Sequence, residues 1–195
     1  MSTIVVSHGY EADSDSVWFP YLRKVLEAEG HRVQIPNLPD NTAPRLAPWR
    51  TALRDCLANT DPRDTVLVGH SIGGVNVLRL LQQHDVDTAG AFAGAVLVAT
   101  PAHVPAGYEA LADFFAEPFD WPRLRRAAER YRLLTAADDP VLLPDPIHHV
   151  KDLVTGLEAT AVVTATGAHY GARPDDHIDL PEAVQLILDC LSANP

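Results

Sequence analysis

The sequence predicts an α/β fold: a central, mostly parallel six-stranded sheet with helices on both faces. Three observations carry that expectation. Short apolar runs rich in β-branched residues alternate with longer segments of helical period along the chain, the pattern of a parallel sheet joined by helical crossovers. The first run, Thr3 to Ser7, is continuously apolar around Ile4-Val5-Val6, as strands covered on both faces are. Between one such run and a helical segment stands Gly69-His70-Ser71-Ile72-Gly73, the composition of a sharp strand-to-helix turn.

The elements follow in order. After the first strand, His8-Gly9-Tyr10 turns the chain, and 11–16 is a polar loop. Trp18, Tyr21, Leu22, Val25 and Ala28 mark one face of a helix over 17–29, which Gly30 ends. Arg32 to Ile35 is a second strand, stopped by Pro36 and Pro39, and Leu46, Trp49, Leu53, Cys56 and Leu57 recur at helical steps. Thr65 to Val68 is the third strand, and the helix after it keeps Val75, Leu78 and Leu81 on one side. Ala91 to Ala99 is the fourth strand. The stretch 100–121 is irregular and short, with Pro101, Pro105 and Pro118. A basic helix over 123–130, a strand over 132–136, a helix over 147–157 and a strand over 159–164 follow. The last helix starts at Pro181, a residue suited to a first helical position. The whole, 1–195, reads as one domain.

Bulk properties narrow the function classes. At 195 residues the chain can bury a substantial core. Its net charge of −11 opposes binding to nucleic acid or an anionic membrane, both of which reward a basic face. The basic run Arg123 to Arg130 reads as a solvated face. Two cysteines, Cys56 and Cys190, give no disulfide framework and are expected to be reduced. Met1-Ser2-Thr3 leads directly into the first strand, so no secretory leader is expected. With no apolar run of membrane-spanning length, a cytoplasmic location follows as the default. No nucleotide-binding glycine pattern is present, and neither a cofactor nor a metal is expected.

Ligands of such sheets bind outside the carboxyl ends of the strands. Residues just past each strand are therefore the candidates: His8 after the first, Ser71 after the third, Asp138 and Asp139 after the fifth, His169 after the sixth. That gives nucleophile, acid and base in the order Ser, Asp, His. Ser71 sits in G-x-S-x-G, where Gly69 and Gly73 let strand and helix close together. Of nine histidines, His169 lies five residues past the last strand and is favoured over His177, near the start of the last helix. His70, next to Ser71, reads as a packing residue, with its side chain diverging from the hydroxyl. His31 and His84 read as solvated, and His103 as a candidate wall of the cleft. His148 and His149 lack a partner at metal-ligand spacing. Of the two aspartates either can serve as the acid, with Pro140 restricting the backbone of Asp139 and favouring it. The backbone N–H groups of Tyr10 and Ile72 are the candidate oxyanion donors. His8, Gly9, Trp18, Phe114 and Phe115, with Phe119 and Trp121, are candidates for substrate contact or for an apolar rim over Ser71.

Val6-Ser7-His8-Gly9, Trp18-Phe19-Pro20-Tyr21-Leu22, Gly69-His70-Ser71-Ile72-Gly73-Gly74, Asp138-Asp139-Pro140 and Gly167-Ala168-His169 together resemble the RBBP/YdeN family of small serine hydrolases. The resemblance covers most of the chain. It implies a compact α/β-hydrolase fold without the antiparallel strands that open larger members. It also implies that Ser71 is the nucleophile, Asp139 the acid and His169 the base. Ala168 replaces the glycine usual before the catalytic histidine. The L-x-C-x-E peptide tied to retinoblastoma binding is absent, so that role is not carried over. The resulting expectation is a serine hydrolase forming an acyl-enzyme on a small ester, thioester or amide. Against it stands a non-catalytic interaction module on the same fold. A dehalogenase would place Asp where Ser71 stands.

Overall fold

The computed structural model describes residues 1–171, 173 and 176–192. Six strands, β1 (Thr3–Ser7), β2 (Arg32–Gln34), β3 (Thr65–His70), β4 (Gly94–Val98), β5 (Tyr131–Ala136) and β6 (Thr160–Thr164), form one sheet in the order β2-β1-β3-β4-β5-β6. Every pairing between them is parallel. The helices are α1 (Phe19–Ala28), α2 (Leu46–Asp55), α3 (Ile72–Gln83), the single turn α4 (Val86–Ala89), α5 (Trp121–Ala127), α6 (Pro146–Leu157) and α7 (Pro181–Leu191).

Side chains alternate across a strand, and here each direction meets its own layer of helices. Ile4, Val6, Val66, Val68, Val96 and Val98 pack with Phe19, Leu22 and Leu26 of α1 and Ala183, Val184 and Ile187 of α7. The intervening Val5, Leu67, Ala95 and Leu97 pack with Leu53 of α2, Val77, Leu78 and Leu81 of α3, Leu124 of α5 and Leu153 of α6. Because both faces are covered, the central strands read as continuous apolar runs. β6 lies at the edge, and its Val162 and Val163 remain exposed.

The order of the sheet reverses between β1 and β3: the chain leaves β1 toward β2, then returns and continues from β3 toward β6. In open α/β sheets the ligand crevice opens at such a switch point, outside the carboxyl ends of the strands. The loops after β1 and β3 therefore sit where a site belongs.

Several boundaries differ from the sequence expectation. β3 extends to His70 because Gly69 and His70 continue the ladder opposite Leu97 and Val98. β4 starts at Gly94, with Phe92 held only by an isolated bridge to Ala128. The basic helix runs over 121–127, not 123–130: the Asp120 carboxylate accepts from the Arg123 N–H at 3.1 Å and so caps it early, and Ala128 is already extended. Within the irregular stretch, 109–115 forms a 3-10 turn. Arg79 of α3 holds it down, donating to the carbonyls of Phe114 (2.9 Å) and Pro118 (3.2 Å), with Phe119 stacked on the guanidinium. Those carbonyls satisfy a cation that is otherwise costly to bury. Cys56 and Cys190 are unpaired thiols, and burial pushes Cys190 up to about 11. No helix among the described residues is long and apolar enough to cross a membrane.

Candidate active site

Ser71 occupies the turn between β3 and α3 with φ 55° and ψ −129°, a conformation that costs an L-residue of order 1–3 kcal/mol. The surroundings enforce it. A Cβ on Gly73 would lie 2.2 Å from the Ser7 carbonyl oxygen, and one on Gly69 would lie 2.3 Å from the Gly74 Cα. Only glycine lets the strand, the turn and the helix approach this closely. The Ser71 N–H donates to the Val98 carbonyl and the Ser71 carbonyl accepts from Gly74, which locks the turn at both ends. Ile72 begins α3, so its N–H is one of the unsatisfied donors of a helix N-terminus. Neither it nor the Tyr10 N–H is donated to another group among the described residues.

The loops after β5 and β6 bring a carboxylate to an imidazole. The His169 Nδ1–H donates to Asp139 Oδ2 at 2.8 Å, and both side chains are buried. The other oxygen, Oδ1, accepts from the Val141 and Leu142 N–H groups at 2.8 and 3.2 Å. Asp139 is thus held on both sides, and the tautomer of His169 is fixed with Nε2 bare. Asp138 ties the β5 loop to the β6 loop instead, its Oδ1 accepting from the Ala168 N–H at 2.8 Å. Ala168 and Tyr170, on either side of His169, have φ of 47° and 52°. His177 is exposed, on the separate surface formed by Tyr21, Lys24 and Asp179.

His70 enters this arrangement unexpectedly. Its side chain diverges from Ser71, as adjacency dictates, but its Nε2–H donates to the backbone carbonyl of His169 at 2.8 Å. The two rings lie 5.2 Å apart, with Trp18 and Phe19 edge-on to His70. Burial, and then the neighbouring His169 charge, lower the His70 pKa to about 3, so the ring stays neutral at physiological pH. Nothing local in the sequence signals a bond to a residue 99 positions away.

Ser71, His70 and His169 line one cleft of about 140 Å³ with Gly9 and Tyr10, walled by Pro101, Pro105, Tyr108, Leu111, Val141 and Leu142. Glu11 and Arg173 stand at the same cleft. Six expected contact residues are elsewhere. Trp18 and Phe114 are fully buried, in the α1/α7 core and against Trp49 respectively. Phe115 packs on Phe119, and Phe119 on Trp121, outside the cleft. His8 is fully buried beneath the Gly9 loop. Large aromatics are the residues most readily spent on core packing, and the walls come instead from the loops after β4 and β5. The rule of looking just past each strand, applied to those two strands, already points to Pro101 and Val141.

Three other histidines, His84, His103 and His149, make packing contacts. His84 is half-buried against Phe92, its Nε2–H donating to the Gly90 carbonyl at 2.7 Å, rather than solvated. His103 stacks on His149 and does not line the cleft. Among the described residues no cluster of His, Cys, Asp and Glu could hold a metal ion.

Comparison with known proteins agrees with this architecture. YdeN of Bacillus subtilis is 29% identical over 167 residues, 86% of this chain and 85% of that protein. The crystal structure of the ydeN gene product superposes with a TM-score of 0.89, covering 99% of this chain and 100% of the other at 27% identity. Serine hydrolase RBBP9 of Rattus norvegicus is 25% identical over 154 residues, 78% of this chain and 77% of that protein. BpoC of Mycobacterium tuberculosis, at 16% identity, shares the fold with a TM-score of 0.68 over 98% of this chain and 92% of that one. The family model described as Serine hydrolase matches residues 4–188. This chain therefore belongs to the serine hydrolase family, as a small member of the α/β-hydrolase superfamily.

Proposed function

We propose that the protein hydrolyses a small carboxylic ester, thioester or amide through an acyl-enzyme. Ser71 Oγ attacks the acyl carbon while His169 Nε2 takes its proton. The Asp139 carboxylate keeps the imidazole in the right tautomer and stabilises the imidazolium as it forms. The tetrahedral oxyanion is received by the N–H groups of Tyr10 and Ile72, the second reinforced by the N-terminus of α3. His169 then returns the proton to the leaving group, and a water activated by the same imidazole releases the acid. No cofactor or metal enters the scheme.

The observation that carries this reading is the Asp139–His169 hydrogen bond, 2.8 Å long and buried, in a cleft that also holds the strained Ser71 turn. The size of that cleft favours a short acyl group, and its proline and leucine walls favour an apolar one. A net charge of −11 favours a diffusible cytoplasmic substrate over nucleic acid or an anionic surface.

A fluorophosphonate probe tests it. The wild-type protein is expected to be labelled at Ser71, and Ser71→Ala to take up none. Labelling that survives this substitution would remove Ser71 from the role. A wild-type protein that neither labels nor turns over short p-nitrophenyl esters would favour a binding module on the same fold.

A further inference from the structure

We infer that His8 is a positioning residue that aims the Tyr10 N–H into the oxyanion site by holding the opposite end of the same peptide group. The inference rests on the proposed reading of Ser71 as nucleophile and Tyr10 N–H as oxyanion donor.

His8 follows β1 and is fully buried, its ring edge-on to Trp49 at 5.3 Å. Both ring nitrogens are used. The Leu38 N–H donates to Nε2 at 2.9 Å. A backbone N–H can only donate, so Nε2 is the unprotonated nitrogen and Nδ1 carries the hydrogen. That Nδ1–H donates to the carbonyl oxygen of Gly9 at 2.9 Å. The Gly9 carbonyl and the Tyr10 N–H belong to one planar trans peptide and point in opposite directions. Fixing the carbonyl against His8 therefore fixes the N–H on the far side. The Ala12 N–H approaches the same carbonyl at 3.4 Å, a weaker second hold. Gly9 and Tyr10 line the cleft beside Ser71, and a Cβ on Gly9 would come within 3.2 Å of the Ser71 Cβ. Glycine grants that approach but leaves its peptide free to rotate. His8 removes the freedom. The site thus gains a donor that needs no reorganisation when charge develops, which is where oxyanion stabilisation gets its effect.

The alternative is that His8 merely ties down the 36–39 loop through Leu38. Two substitutions separate the roles, because asparagine and glutamine each replace one ring nitrogen. In His8→Asn the Nδ2–H takes the place of Nδ1–H and can still donate to Gly9, while the Leu38 bond is lost. In His8→Gln the Oε1 takes the place of Nε2 and can still accept from Leu38, while the hold on Gly9 is lost. With p-nitrophenyl acetate, His8→Gln is expected to lower kcat by roughly 10- to 100-fold with KM little changed, a part of the full loss of one oxyanion donor. His8→Asn is expected to lose clearly less. Glutamine equal to or better than asparagine would overturn the inference, as would a loss confined to KM.

Should both variants fail to fold, the imidazole nitrogen spectrum of the wild type decides. A neutral His8 with its hydrogen on Nδ1 is the expected result, and a hydrogen on Nε2 would overturn it. Fluorophosphonate labelling of the wild type, lost in Ser71→Ala, is measured first. Its failure would count against the hydrolase reading itself, whereas its success with the wrong order of variants counts against His8 alone.

Discussion

Two pairs of neighbouring histidine rings sit among the described residues, and what their ring nitrogens meet sets them apart. His70 and His169 lie 5.2 Å apart, between the end of β3 and the loop after β6. His103 and His149 are closer still, 4.0 Å, between the loop after β4 and α6. Each pair includes a fully or nearly fully buried ring. The difference lies in what the ring nitrogens meet. His149 Nδ1 accepts from the Ala102 N–H at 3.0 Å, and its Nε2 faces the Leu143 carbonyl at 3.4 Å. Both nitrogens are spent on neutral backbone, and burial, then the His103 charge, hold its pKa down. His169 gives Nδ1–H to a carboxylate and keeps Nε2 without a partner among the described residues, at the cleft that holds Ser71. Proximity of imidazoles is packing; a carboxylate behind one nitrogen and an open cleft before the other are what the proposed role of His169 as base requires.

The comparison breaks most visibly in turnover. If Ser71, His169 and Asp139 act as a unit, His169→Ala should lower kcat on a short ester by roughly 10⁶. His103→Ala, which removes the exposed ring of the other pair, should leave it within about one order of magnitude. Steady-state kinetics on the two purified variants check both halves. Comparable losses would erase the distinction.

The neighbouring aspartates sharpen it next. Asp139→Asn keeps the shape but offers His169 the wrong tautomer, and about 10⁴ in kcat is the expected loss by analogy with serine proteases. Asp138→Asn retains an oxygen able to accept from the Ala168 N–H, so the loop survives and activity should change by less than about tenfold. A reversal of the two in a pH-controlled assay would transfer the acid role to Asp138.

Much of this site is legible in the sequence. Ser71, the Asp138-Asp139 pair and His169 each stand just past a strand of a parallel sheet, where a topological rule directs attention, though that rule alone does not choose between the two aspartates. The six strands are legible because β-branched runs between helical segments have few other uses, although their ends are not. Gly69 and His70 extend β3 through ladder bonds that no composition signal announces. Beyond Pro101 and Val141, which follow β4 and β5, the walls of the cleft are not legible, and Trp18, Phe114 and Phe115 mislead by their size. Size sends a side chain inward at least as often as it lines a site, and only the tertiary path of the loops after β4 and β5 settles which. His70 is legible as a packing residue, yet its bond to the His169 carbonyl depends on the end of β3 meeting a loop 99 residues further on.

A pH titration of stability probes the same pair through its silent member. His70 has an unfolded pKa near 6.5 and a folded value of about 3. The unfolded chain therefore binds the extra proton between those values, and stability is lost as pH falls from 6.5 toward 3. At pH 5 the loss from this one group is about 2 kcal/mol relative to neutral pH. His8 and His149, both lowered chiefly by burial, act in the same direction. Urea denaturation of His70→Gln at about pH 7 and about pH 5 should show a smaller difference than the wild type by roughly that amount. An unchanged difference would mean that His70 is not the neutral clamp on the His169 carbonyl.

The smallest effect concerns the residue that carries His169 into place. Ala168 sits at φ 47°, where its Cβ crowds the following carbonyl oxygen, at a cost of roughly 1–2 kcal/mol for an L-residue. The resemblance to the RBBP/YdeN family implies that glycine is the usual residue at this position. Ala168→Gly relieves the crowding but frees the unfolded chain, which returns roughly 0.5–1 kcal/mol. The net is a gain of a few tenths to about 1 kcal/mol, or about 1–4 °C in Tm for a chain of this size. The bond from the Ala168 N–H to Asp138 is untouched by the change, so the loop should keep its path while losing stiffness, and kcat should fall by no more than a few-fold. A Tm that drops instead would show that the methyl group packs against something worth more than the strain it carries. In that case alanine holds His169 by contact, and the rigidity of this pair comes from its loop as much as from the clamp His70 provides.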